Sequence, residues 1–305
     1  MDEEAERLVA ALDNLMEGEG AVTALVALGP KAIDPLRRFL IFGRPSTVYQ
    51  PRRWAVQALG GLNAREVLIE YLISRPPVHD PQVRFTEEAV ENAAIRELLR
   101  WPDSETVVLL LDLSKHKLLT GLVEVFGTMR LVEAISYLDR ALQDDICRLP
   151  AEAALIEIGA PARDALLLSV ATKLPVDDAE TPSSLRRRQS ILRVLKEIGI
   201  RLQDWPRLFP LIWEEDSEIV VRSCALAVSV GILNDRQGVI ARLIAVAGEA
   251  PWFLQEDIEE CLLVCFDTAR PDIEAVVVRA MKAPKIERVR DQRLRVMLRV
   301  MRRHR

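Results

Sequence analysis

Three histidines, four cysteines and several runs of adjacent acids are the side chains in this sequence whose types could do chemistry. His79 stands beside Asp80, a pairing that could share a proton or a metal ion. It lies in the proline-rich stretch "SRPPVHDPQVR" (74–84), where a solvated turn is the expected role. His116 sits in "SKHKLL", which reads as a turn, and His304 stands at an end expected to fray. Cys261 and Cys265, in "CLLVC", are four apart and share a helix face. Zinc sites favour tighter Cys-x-x-Cys pairs completed by further Cys or His, and none lies nearby. These two, with Cys147 and Cys224, therefore read as small buried hydrophobes. Asp144/Asp145, Asp177/Asp178 and Glu214/Glu215/Asp216 supply neighbouring carboxylates. Acid–base work needs such groups held apart in one cleft with shifted pKa values. The 214–216 run reads more simply as negative charge ahead of a helix beginning near Ser217. No nucleophile elbow, glycine-rich phosphate loop or His-Glu-x-x-His stretch occurs. No catalytic residue, metal site or cofactor is expected, and the chain reads as non-enzymatic.

The elements that carry these residues are announced by a repeat. Half of the 305 residues are apolar, 29% are charged and only 5% are aromatic, which is the composition of a folded chain rich in helix-forming Leu and Ala. Six segments end alike: "TALVALG" (23–29), "WAVQALG" (54–60), "GLVEVFG" (121–127), "AALIEIG" (153–159), "LRVLKEIG" (192–199) and "LAVSVG" (226–231). Counting back from each glycine, positions −1, −4 and −5 are apolar in all six, and that spacing is one stripe of an α-helix. Each glycine is expected to end its helix with a left-handed backbone. A second amphipathic run follows, as in "PKAIDPLRRFL", "GLNAREVLIEYL" and "APARDALLLSV". The glycine spacings are 31, 67, 32, 40 and 32, so the 67-residue gap must hold another unit, supplied by "AVENAAIRELLRW" and "SETVVLLLDL". "EECLLVCFDTA" with "PDIEAVVVRAM" makes one more. Loops are expected at 74–84 and 173–184.

The pattern resembles HEAT-repeat proteins, in the short bacterial form also called the phycobilisome-lyase-like HEAT repeat. "RRWAVQALGGLNAREVLIEYL" carries it best, through Arg52, Ala55, Leu59 and Gly60, followed by "DSEIVVRSCALAVSVG" with Asp216, Val221, Arg222 and Ala225. The resemblance covers residues 20–282, although several units lack the Asp and Arg that usually link neighbours. It implies an all-α fold, a right-handed α-solenoid of about eight HEAT-like helix pairs, with first helices convex and second helices concave. The expected organisation is an acidic capping helix in 1–19, the solenoid over 20–284 and a basic amphipathic capping helix in 285–305. The family also contains bilin lyase-like chromophore proteins and alkylation-repair glycosylase-like DNA-binding proteins. Trp205, Trp213 and Asp216 in "QDWPRLFPLIWEED" would suit the latter. The charge does not: residues 285–305 hold nine Lys/Arg against two acids, a surplus of seven on a chain totalling −5, which leaves −12 on residues 1–284.

A protein–protein scaffold or adaptor is the reading these features favour. It would bind through the concave helices or the 41–54 loop, where Arg37, Arg38, Arg44, Tyr49, Arg52, Arg53 and Trp54 gather residue types enriched at hot spots. An acidic partner would suit them. Arg52 and Trp54 have a second reading, in an inter-repeat polar ladder and in packing between repeats. The tail "RLRVMLRVMRRHR" is amphipathic, with Ile286, Val289, Val296, Met297 and Val300 at helical spacing. It should cover the last pair and leave a basic face for an acidic partner, or for head-to-tail self-association with the acidic N-terminal helix of another copy. With no basic, apolar leader and no membrane-length apolar run, the expected location is cytoplasmic.

Overall fold

The structure is a computed structural model that describes residues 3–74, 78–177 and 179–304. It is all-α apart from a two-stranded hairpin, β1 (Pro175–Val176) with β2 (Ala179–Glu180). The helices form two compact units that divide between Tyr137 and Leu138.

The first unit contains α1 (Glu3–Ala11), α2 (Gly18–Leu28), α3 (Ile33–Arg37), α4 (Gln50–Gly61), α5 (Arg65–Ile73), α6 (Pro81–Glu97), α7 (Ser104–Ser114) and α8 (Thr120–Thr128). The division falls inside α9 (Ile135–Ala141). Within this unit α2, α4, α6 and α8 each pack on the next, and α1 lies on α2 and α3. The expected N-terminal helix is shorter than its apolar pattern, because Asn14 folds residues 12–17 into a turn in which its side chain accepts from Met16 N.

The second unit contains α10 (Arg148–Ile158), α11 (Arg163–Ala171), the hairpin, α12 (Pro182–Ile198), α13 (Trp205–Leu208), α14 (Ser217–Ser229), α15 (Ala241–Val246), α16 (Gln255–Val264), α17 (Phe266–Met281), α18 (Lys285–Arg290) and α19 (Gln292–Arg303). Here α10, α12, α14, α16 and α19 pack in succession, and α11 packs on α13. The apolar stripe is the core: Leu25, Val56, Leu59, Phe126, Leu155, Leu195 and Ala227 are all fully or almost fully buried.

Four expectations need correction. The basic tail is not one helix. Asp291 leaves helical geometry and caps α19 by accepting from Leu294 N, so Ile286 on α18 is exposed, whereas Leu294, Val296, Met297 and Val300 are buried against α16 and α17. Pro271 does not begin a helix but lies inside α17, and α6 begins at Pro81, within the stretch expected as a loop. The glycines divide into two kinds. Gly29, Gly159, Gly199 and Gly231 have positive φ, but Gly60 and Gly127 lie inside α4 and α8. There the helix continues, and the positive φ falls three residues later, on Asn63 and Arg130.

At Gly29, Gly159 and Gly199, φ of 74° combines with ψ of −149°, −138° and 153°, a region essentially closed to residues with a Cβ. Gly159→Ala is accordingly expected to lower stability by about 1–3 kcal/mol, seen as a lower urea midpoint. An unchanged midpoint would mean that this turn relaxes without cost.

Candidate functional site

The 41–54 loop is built from below by two buried side chains. Arg52 lies on α4 in phase with Ala55, Val56 and Leu59, so its guanidinium points into the core. There it pairs with Glu87 of α6 at 2.9 Å, and both side chains are buried. It also donates to the carbonyls of Leu40 at 2.6 Å, Gly43 at 3.2 Å and Phe39 at 3.4 Å. Tyr71 Oη donates to Glu87 at 3.1 Å, and the Arg52 guanidinium lies over the Tyr71 ring. Thr86 Oγ1 donates to Ser46 O at 2.7 Å, pinning the loop from α6 as well.

The proposed surface residues therefore separate. Arg52 is not a contact residue; it is the buried inter-helix tie. Trp54 is half-buried and covers Gly18, where a Cβ would stand 2.1 Å from its ring, so the packing role holds for it too. Arg37 forms a two-point ion pair with Glu70 of α5, and Arg38 pairs with Glu6 at 2.6 Å and with Asp34 at 3.4 Å. The Glu70 carboxyl is held below its ordinary value by the hydrogen bond from Arg37. Arg44 and Arg53 are exposed and form no ion pair with any described residue; Tyr49 is half-buried. Phe42, absent from the expected set, is exposed beneath the Arg37 guanidinium, 5.5 Å from ring centroid to Cζ.

Two apolar grooves are lined by α5 with α7 and by α11 with the segment around α13. In the first unit, Ile69 and Ile73 of α5 face Val108, Leu109 and Leu111 of α7 around a groove of about 550 Å³. In the second unit, Leu167, Leu168 and Ala171 of α11 face Pro206 and Pro210 around about 530 Å³. Val108 is 67% and Leu168 72% exposed. The rims carry charges of both signs: Asp112 with Lys115, and Asp164 with Arg207.

The residues first weighed for chemistry have other occupations. His79 and His116 do line one cleft of about 620 Å³, together with Glu88, Glu91 and Lys117. Separation in sequence hid that meeting. Glu91 is paired with Lys117 at 2.7 Å, and no hydrogen bond joins either histidine to a carboxylate among the described residues, so no proton relay is assembled. Asp80 is the N-cap of α6, accepting from Gln82 N and Val83 N. His304 is stacked on Phe266, with ring centroids 3.8 Å apart, instead of lying on a frayed end. Asp144 caps its turn through Ile146 N and Cys147 N, and Asp145 pairs with Arg148. Asp178 lies outside the described residues. All four cysteines are buried, and burial pushes the Cys261 thiol up to about 12 and those of Cys224 and Cys265 upward, away from the nucleophilic thiolate. Among the described residues no three His, Cys, Asp or Glu side chains converge as a metal site would require.

Asp216 caps α14, accepting from Ile219 N at 2.9 Å, as its position ahead of Ser217 implies. Trp205 packs edge-to-face on Phe209, and Trp213 lies under Arg242. Glu214 does something different from its neighbours. Fully buried Arg188 of α12 forms ion pairs with Glu214 and with Glu180 of the hairpin (2.8 Å), and donates to Val170 O of α11 at 2.7 Å. Lys173 reaches Glu214 at 2.9 Å. Arg188 is in phase with Ile191, Leu192 and Leu195, as Arg52 is with its own stripe. A charge on the apolar stripe is the sequence signal for both buried ties.

No protein-family model matches the chain, and no curated protein matches it. Among the described residues no helix is long and apolar enough to cross a membrane.

Proposed function

We propose that the chain is a non-enzymatic scaffold or adaptor, a right-handed α-solenoid of about eight HEAT-like helix pairs that holds a protein partner on its second helices. The observation that carries this reading is the position of the two apolar grooves, each lined by helices that it takes as consecutive second helices. Their floors are aliphatic and their rim charges come in opposite pairs, so they suit a partner segment presenting large aliphatic side chains and no strong net charge. Arg37 ties the start of the 41–54 loop to Glu70 on α5, the helix that supplies Ile69 and Ile73. Exposed Phe42, Arg44 and Arg53 of the same loop supply an aromatic side chain and two cations suited to an acidic flank of that segment.

Val108→Glu combined with Leu168→Glu should leave the fold intact, since both side chains are exposed. The pair should weaken capture of the partner that the wild-type chain recovers from its native host by about tenfold or more. Arg44→Glu with Arg53→Glu should cost less. Unchanged capture by the groove variant would overturn the reading, and uptake of an open-chain tetrapyrrole by the purified chain would replace it with the lyase-like one.

A further inference from the structure

The cleft that His79 and His116 line takes no part in the two grooves. It is a space of about 620 Å³ between α6 and the turn that follows α7, inside the roughly 300–1,000 Å³ of small-molecule sites. Its sides are held by the protein's own bonds. Asp80 caps α6 and so fixes the backbone beside His79. His116 N and Lys117 N both donate to Leu113 O at 3.1 Å, which closes the turn. The buried Tyr137 hydroxyl accepts from Leu119 N at 2.9 Å and donates to Leu119 O at 3.2 Å. Lys117 reaches across to Glu91 of α6 at 2.7 Å and joins the two sides.

The charges in the lining are of both signs, and part of their bonding capacity is unspent. Glu87 is answered from behind by Arg52 and Tyr71. Lys117 places two of its three donors on the Glu91 carboxylate, at 2.7 and 2.8 Å, and keeps the third. Glu88 meets Arg84 only at 3.8 Å, too long for a hydrogen bond. No described carboxylate bonds the imidazole of His116 or of His79. A plain anion would therefore meet Glu88 and Glu91, and a plain cation would meet Arg84 and Lys117. An uncharged ligand would strip water from these groups and return no charge to them. A molecule carrying both charges answers both sides. Val78, Leu118 and Leu119 add aliphatic surface to the same lining.

We infer that this cleft binds a small zwitterion with an apolar body, an aliphatic amino acid or a short aliphatic peptide. Glu88 takes its ammonium group. The third Lys117 donor and the His116 imidazole take its carboxylate, and Val78, Leu118 and Leu119 take its side chain. The site is separate from the grooves assigned to a protein partner, so either can fail without the other.

Isothermal titration calorimetry on the full chain tests it, with L-leucine and the dipeptide leucyl-leucine as probes. At least one should bind with one-to-one stoichiometry, and the tighter of the two identifies a free amino acid or a peptide as the ligand. That probe should lose about tenfold or more in affinity when its ammonium is acetylated, and likewise when its carboxylate is amidated, because each change removes a charged hydrogen bond. Glu88→Gln should weaken the parent probe and leave the acetylated one unaffected. His116→Leu should weaken the parent and leave the amide unaffected. Both side chains are at least half exposed or nearly so, and unchanged melting temperatures confirm that the variants are folded. Failure of both probes to bind at millimolar concentration would overturn the proposal. So would full affinity in either derivative, or wild-type affinity in either variant. Full affinity in the acetylated form would make the cleft an anion site, and in the amidated form a cation site.

Discussion

Arg188→Met is expected to lower the unfolding free energy of the second unit by about 3–5 kcal/mol, the usual cost of stranding buried charge. Methionine restores most of the volume, so the loss reports the network. Glu180 and Glu214, 15% and 16% exposed, lose their common cation, Lys173 stays on Glu214, and Val170 O loses its donor. Adding Glu180→Gln and Glu214→Gln should recover part of the loss, since neutral amides are cheaper to bury than unpaired carboxylates. The pH dependence gives a second readout. Burial acts to raise the Glu214 pKa, but hydrogen bonds from Arg188 and Lys173 outweigh it, and the carboxyl titrates below its ordinary value of 4.5. A group with a depressed folded pKa stabilises the fold fully above its unfolded value and surrenders that stability as pH falls towards the folded one. Wild-type stability should thus decline below about pH 4.5, and Arg188→Met should lose the share of that slope that Arg188 gives Glu214, while Asp204 and Asp272, lowered by Arg201 and Arg236, keep theirs. Chemical denaturation across the acid range checks both; an Arg188→Met midpoint within error of wild type would show that the network contributes nothing.

Arg52→Met should be comparably costly to the first unit, again about 3–5 kcal/mol, because Glu87 is left buried with its cation gone. The comparison that matters is with Arg52→Met combined with Glu87→Gln. Removing the stranded charge should recover only part of the stability, because the carbonyls of Phe39, Leu40 and Gly43 would still have lost their shared donor. Arg52→Lys should behave more like Met than like Arg, since one ammonium cannot reproduce the planar fork that serves a carboxylate and a row of carbonyls together. A double-mutant cycle from denaturation midpoints measures the Arg52–Glu87 coupling. Amide exchange over residues 44–49 should accelerate in every Arg52 variant, because that residue anchors the loop. A coupling near zero with an unaltered loop would remove Arg52 from this role.

The positions of the helices were legible because packing and periodicity say the same thing. Leu25, Leu59, Leu155 and Leu195 stand four or one residues before a glycine, and all are buried. What the periodicity did not show was how each turn would be made. Gly60 and Gly127 match the other glycines in local sequence, yet their helices run on past them and Asn63 and Arg130 take the positive φ. The tail was misread for a related reason. Its apolar spacing is compatible with one helix, but Asp291 caps better than it continues, and the break turns Ile286 outward. The candidate surface was half legible. Composition pointed to the 41–54 loop, but it could not tell the arginines already satisfied by Glu6, Glu70 and Glu87 from Arg44 and Arg53. That distinction depends on carboxylates between 32 and 35 residues away. The grooves were invisible because each needs aliphatic residues from two helices brought to a set distance.

In a simple stack each helix pair communicates with its immediate neighbours, and opening begins at the ends and advances one pair at a time. Arg188 alters that in the second unit. It binds Val170 O of α11 and shares Glu214, whose own carbonyl accepts from Arg242 of α15. Elements from α11 to α15 are thus linked through Arg188 and Glu214. The middle of this unit should open as one block, a foldon longer than the repeat itself, while the flanking helices fray independently.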